Sequence, residues 1–320
     1  MPRAFLVILS LLALSSASSA WNKAGHMVTG AIAHQVLKAE DESAVAKVVA
    51  ILEQHPAYPR WQKAMQKYTP EERGMYLFMQ AARWPDDARD DPVFYPPDAR
   101  YDQLHYINFP YKPADQPASV QVAEPDANNI LRGFVDKKNL VQKSADAKER
   151  AVALCWVFHL VGDVHQPLHT TSLFTTQFQR EFGKLTGDRG GTRFYIRAKE
   201  GAFPISLHKY WDDLLLSSET FQNVRNLATE LRLRKEFAKA NLTELANADF
   251  EHWASKESFP LAKEHAYRNG TLKGSPQMKQ AATLPADYAK ATQPIAERRA
   301  VLAGYRIASV VREIAGKGGK

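Results

Sequence analysis

The chain has 320 residues, 45% of them hydrophobic and 24% charged, with 16 glycines and 18 prolines. That composition excludes collagen-like, low-complexity and disordered chains, and the length suffices to bury a large core. A lone cysteine, Cys155, excludes an intramolecular disulfide, and the formal net charge of +7 is a weak pointer to an anionic partner.

Residues 1–20 read as a secretory leader. Arg3 supplies the positive start, and Ala4 to Leu14 is apolar but too short to span a bilayer. Ser18-Ser19-Ala20 offers small residues for cleavage. A cut after Ala20 would leave Trp21 at the head of a single domain over 21–320, in a secreted or periplasmic protein. Nothing further along is apolar for long enough to form a membrane anchor.

Helices are predicted over Met27–Lys38, Ser43–Gln54 and Asn128–Val141, where apolar residues recur three and four apart. Between them Trp84 to Pro125 is dense in Pro and Asp and reads as loop. Ala145–Val164 is the strongest segment. Val152, Leu154, Cys155, Val157, Phe158, Leu160 and Val161 make it apolar nearly all round, as a central helix must be, and Pro167 stops it. Ser172 to Pro204 is a second loop-rich region. There Gly187-Asp188-Arg189-Gly190-Gly191 signals a turn, and Thr192 to Ile196 suits one arm of a short β-hairpin. Further helices are predicted over Leu207–Leu216, Ser218–Asn241, Leu242–Tyr267 and Ala286–Ile314. No repeat or linker divides the chain, so the expected class is all-α, one mostly helical domain.

The histidines stand out by their spacing to aspartates. His159 and Asp163 are four apart on the apolar helix, and His208 and Asp212 are four apart on another. Residues i and i+4 share a helix face, so either pair can grip a metal ion or form a plain ion pair. Imidazole and carboxylate are the usual zinc ligands where thiolates are absent. An aspartate inside the most apolar helix favours metal, because a buried carboxylate is costly unless paired or coordinated. His169 follows beyond Pro167, where the chain can swing back over the helix end. His26, Asp86 and His105 are further candidates, each of which alone suits a structural role better.

Taken together these residues resemble the zinc-dependent single-strand nucleases, the family that includes mung bean nuclease. Five segments carry the resemblance in order: Trp21 with His26, Trp84-Pro85-Asp86 with Arg89, Leu104 to Asn108, His159 to His169, and His208-Lys209-Tyr210-Trp211-Asp212. The resemblance implies a phospholipase C/nuclease-like helical architecture with three zinc ions (Zn2+) in a cleft. Asp86, His105, His159 and Asp163 would hold one ion. The amino group and carbonyl of Trp21, with His26 and Asp163, would hold a second. His169, His208 and Asp212 would hold the third, and Asp163 would bridge two. The resemblance also implies hydrolysis of single-stranded DNA, RNA and 3′-nucleotides by a monomer with no protein partner, leaving 5′-phosphates. Arg89 and Asp86 would serve catalysis, and Tyr106 and Asn108 would receive a base. The sequence departs from the family pattern at Pro85, where Ala is usual, at Asn108 for Asp, and at Thr192 for the Asn that ends D-x-G-G-N. Two alternatives stand beside this reading. One is a zinc phospholipase C, whose family shares the N-terminal Trp; the other is a secreted nucleic-acid-binding protein with structural zinc.

Overall fold

The computed structural model describes residues 21–317 apart from 90, 95 and 97–99. The leader expected over 1–20 lies outside these residues.

The apolar stretch forms α6 (Ala147–Asp163), and every residue from Ala153 to Asp163 is buried. Asp146 starts it by accepting from the backbone N–H groups of Lys148 and Glu149. A helix apolar on all sides must be enclosed. It is, by α1 (Lys23–Glu40), α2 (Glu42–Leu52), α4 (Pro70–Asp87), α5 (Ile130–Lys143) and the long α11 (Tyr288–Lys317). The short α3 (Tyr58–Ala64) precedes α4, and α8 (Phe221–Leu233) packs on α1. Thus α1, α2, α5, α6 and α11 lie where the apolar periodicity places them, to within a few residues at each end.

Four expectations need adjusting. The loop predicted from Trp84 begins later, because Trp84 to Asp87 close α4 with Pro85 inside it. Pro85 has no N–H to give the carbonyl four residues back, and the helix ends two residues later. The helix predicted to Leu216 is only α7 (Leu207–Asp212). The carbonyls of Asp212 and Leu216 accept instead from the backbone and side chain of Asn22, tying the chain start to this turn. The helix predicted to Asn241 stops at Leu233, after which Arg234 is extended and single 3-10 turns bring Phe237 and Leu242 into the core. The segment predicted as Leu242–Tyr267 makes a 3-10 turn at Thr243–Ala246 and is otherwise helical only over 250–266. There the single α-turns α9 (Phe250–His252) and α10 (Phe259–Leu261) alternate with π-helical Trp253–Ser258 and Ala262–Ala266. Pro260 has no N–H to donate to the regular ladder.

Strands are few and short. β1 (Phe109–Tyr111) runs parallel to β2 (Thr171–Leu173), with Phe109 opposite Thr171. β3 (Arg180–Glu181) and β4 (Lys184–Leu185) form a hairpin. β5 (Tyr195–Arg197) pairs antiparallel with β6 (Ile205–Ser206) and parallel with β7 (Ala282–Thr283). The expected hairpin near Thr192–Ile196 is therefore the β5–β6 pair. A second, aromatic-rich core lies beneath these strands, built from Leu168, Phe194, Trp211, Tyr267 and Tyr288. The end of α6 contributes Leu160 and Val164 to the main core, and Leu168 follows in the second. The connection between the two cores therefore runs through residues 163–169, which include the candidate ligands Asp163 and His169.

Candidate metal centre

Three sets of His and Asp side chains bring their ligand atoms within 4.8 Å of one another: His26, His159 and Asp163; Asp86, His105 and His159; and His169, His208 and Asp212. All eight residues are buried. These are all the side-chain ligands expected from the sequence. Trp21, the proposed backbone ligand, is fully buried one residue from Asn22, whose N–H bonds the Asp212 carbonyl.

The first two sets share His159 and sit where α1, α4 and α6 converge. His26 stacks on His159 with ring centroids 3.9 Å apart. α1 can come this close because residue 162 is glycine: a Cβ there would lie 2.8 Å from His26 Nδ1. His26 Nε2 and Asp163 Oδ1 are 3.2 Å apart, yet neither has a hydrogen-bond partner of acceptable geometry. His105 Nδ1 lies 2.9 Å from Asp163 Oδ2 and 2.9 Å from His159 Nε2. His159 Nδ1 donates to the Ala82 carbonyl at 2.8 Å, which in the neutral ring makes Nε2 the acceptor nitrogen. Arg89 Nε donates to Asp86 Oδ1 at 3.0 Å.

The third set repeats this logic with loops. His169 Nδ1 donates to the His105 carbonyl at 2.7 Å and His208 Nδ1 to the Gly190 carbonyl at 2.6 Å. Both Nε2 atoms are then acceptors, and they face each other at 2.9 Å. His208 Nε2 lies 3.6 Å from Asp212 Oδ2, whose Oδ1 accepts from Gln166 at 2.7 Å.

Burial opposes charge on most of these imidazoles; His159 is the exception, raised by the Asp163 and Asp86 carboxylates against its burial. Burial lowers the imidazole of His105 to about 3, with Arg89 adding to the effect, and that of His208 to about 3, with His169 adding. Burial also lowers His169 and His26. It pushes the Asp212 carboxyl well above its ordinary range, despite the hydrogen bond from Gln166. Converging lone pairs on neutral imidazoles, beside buried carboxylates, repel one another unless a cation sits among them. The donor set is nitrogen and oxygen without sulfur, which fits zinc.

Tyr106 and Asn108 line a cavity of about 380 Å³ beside this centre, together with Gln103, Phe174, Lys184 and Arg189. His165 points elsewhere. Its Nδ1 donates to the Val161 carbonyl and its Nε2 accepts from Arg306, so it packs rather than ligates. Sequence reasoning missed Gln166 and the Gly190 carbonyl, which orient Asp212 and His208. Both lie inside segments singled out for other reasons.

The profile of the S1/P1 Nuclease family matches residues 21–316. Endonuclease 1 of Arabidopsis thaliana is 23% identical over 330 residues, covering 97% of this chain and 92% of its own. Endonuclease 4 of the same plant is 30% identical over 177 residues, 51% of this chain, so the chain spans about half (50%) of that relative. Endonuclease 5 is 26% identical over 202 residues, 58% of this chain and 57% of its own.

Proposed function

The chain belongs to the S1/P1 nuclease family, and on that premise we propose that it is a zinc-dependent hydrolase of single-stranded DNA and RNA. Its products carry 5′-phosphates, and 3′-nucleotides are further substrates. The observation that carries the reading is the pair of acceptor imidazole nitrogens facing each other at His169 and His208. Asp86, His105, His159 and Asp163 hold one ion. The Trp21 backbone, His26 and Asp163 hold a second, and His169, His208 and Asp212 a third.

Bound zinc supplies concentrated positive charge for a phosphodiester and acidifies water towards neutral pH. The protein's own groups do the rest. Arg89, anchored on Asp86, places its guanidinium at the edge of the centre, where it meets charge developing on the phosphoryl oxygens. Tyr106 offers a ring for a base and Asn108 an amide for its edge. A base must leave its stack to lie there, which costs less in a single strand. The excess of Lys and Arg adds salt-sensitive attraction to the backbone. The leader over 1–20 directs the chain out of the cytoplasm, and its removal frees the Trp21 amino group. No described helix is long and apolar enough to cross a membrane.

A base-sized cavity beside the centre favours this reading over a phospholipase C. Three protein donors at the third set leave coordination positions open, which argues against purely structural zinc. The test offers zinc-loaded protein single-stranded DNA, single-stranded RNA, duplex DNA and phosphatidylcholine, with and without a chelator. Release of 5′-nucleotides from the single strands, abolished by chelation, is expected. Hydrolysis of the phospholipid alone would overturn the reading.

A further inference from the structure

Strands β3 and β4 meet at a two-residue turn, Phe182-Gly183, with Glu181 paired to Lys184. Both turn residues have positive φ, +47° at Phe182 and +80° at Gly183. Asn, Asp or Gly would sit at the first position without this strain. The Phe182 ring is 96% exposed, and no ring among the described residues lies against it. Phenylalanine here is therefore unfavourable to the fold in its backbone and in its hydration.

Its surroundings suggest what it serves. The returning arm of the hairpin, Lys184 to Thr186, lines the cavity that holds Tyr106 and Asn108. The ring thus stands two residues from that rim. Arg180 and Lys184 flank it along the hairpin, and the adjacent acid, Glu181, is partly buried and met by Arg189 and Arg193, each at 3.3 Å. Arg180 braces the turn by donating to the Gly183 carbonyl and to Gln121. Phe203, also exposed, lacks the left-handed backbone, and its turn adds nothing to this cavity. An open aromatic face on a hairpin that also carries basic side chains is what an unpaired base and its phosphates require.

We propose that Phe182 and Lys184 form a subsite for single-stranded nucleic acid beyond the nucleotide seated on Tyr106. The ring stacks a neighbouring base and the ammonium meets its phosphate. This rests on the nuclease reading above. It adds a claim about strand length: longer single strands gain affinity from the hairpin tip.

The experiment compares wild type, Phe182→Ala and Phe182→Trp as zinc-loaded proteins. Binding of a cleavage-resistant phosphorothioate oligothymidylate is read by fluorescence anisotropy, and kcat and KM are measured on strands of increasing length. For Phe182→Ala, Kd and KM for an oligonucleotide should rise about five- to a hundredfold. The loss should shrink as the strand shortens towards a mononucleotide, and Trp should restore binding. Binding unchanged in Phe182→Ala, or a loss equal at every length, overturns the subsite. Wild type that binds without cleaving sinks the catalytic reading and leaves the subsite to be decided by Phe182→Ala. Wild type that does not bind the strand overturns both. Binding to phosphatidylglycerol vesicles lost in Phe182→Ala, with strand binding unchanged, would make the ring a membrane anchor and overturn the proposal.

Discussion

His26, Asp86, His159 and Asp163 stand on three long helices, whereas His169, His208 and Asp212 stand on a 3-10 turn and the six-residue α7. In the first region all the ligands but His105, which ends a 3-10 turn, are placed by helix packing, with His26 against Gly162 and His159 against the last turns of α4. In the second they are placed by single hydrogen bonds from turns: Gly190 to His208, His105 to His169 and Gln166 to Asp212. Packing spreads its constraint over many contacts, while each turn contact is a single point of failure. The loop-borne set should therefore be sensitive to changes outside its ligands, and the helix-borne set to its ligands themselves.

The largest effects should come from the ligands. In the proposed arrangement Asp163 serves two ions and His208 one. Asp163→Ala should lose two zinc ions by elemental analysis and His208→Ala one, each with loss of single-strand cleavage. Equal losses would erase the distinction between the regions.

Asp188 comes next. It is buried beneath the Gly190 turn, accepting from the Leu173 N–H at 2.8 Å and the Tyr267 hydroxyl at 2.7 Å. Burial raises its carboxyl to about 6 from an ordinary 3.8. The folded state then holds a proton that the unfolded state has released. Stability should fall as pH rises from about 4 to about 6, by an upper limit of about 3 kcal/mol. Asp188→Asn should flatten that slope in denaturant midpoints taken across the window, and an unchanged slope would remove Asp188 from the account.

Gly190 has φ of +63°, and a Cβ there would lie 2.4 Å from the Leu168 carbonyl oxygen. Gly190→Ala should weaken the third ion by about 10- to 100-fold through His208, the range expected when an outer hydrogen bond to a ligand is lost. Gln166→Ala should cost about tenfold at the same ion, since it frees one Asp212 oxygen. Zinc titration against a fluorescent chelator reads both. An effect on the helix-borne ions instead would break the comparison.

The same contrast governs how much could be read from the sequence. α6 and its His159–Asp163 pair follow from apolar periodicity, since i and i+4 share a face. His208 and Asp212 follow likewise from a helix, although α7 is shorter than expected. α4 went unread although Thr69-Pro70-Glu71-Glu72 is a capping box, and Pro85 suggested loop where the helix continues to Asp87. That His26, Asp86 and His105 join His159 and Asp163 depends on contacts across the chain that no local pattern encodes; only the family resemblance grouped them in advance. Gln166 and Asp188 act through tertiary hydrogen bonds, and spacing gave no sign of either role.

The central claim is that three zinc ions, held by two differently built regions, make the enzyme. Zinc should be stripped from the protein and returned in measured steps, with bound zinc and cleavage of single-stranded DNA followed together. Cleavage that appears only as the third equivalent binds is the predicted result. Full cleavage by metal-free protein, or saturation at a single ion, would contradict the account.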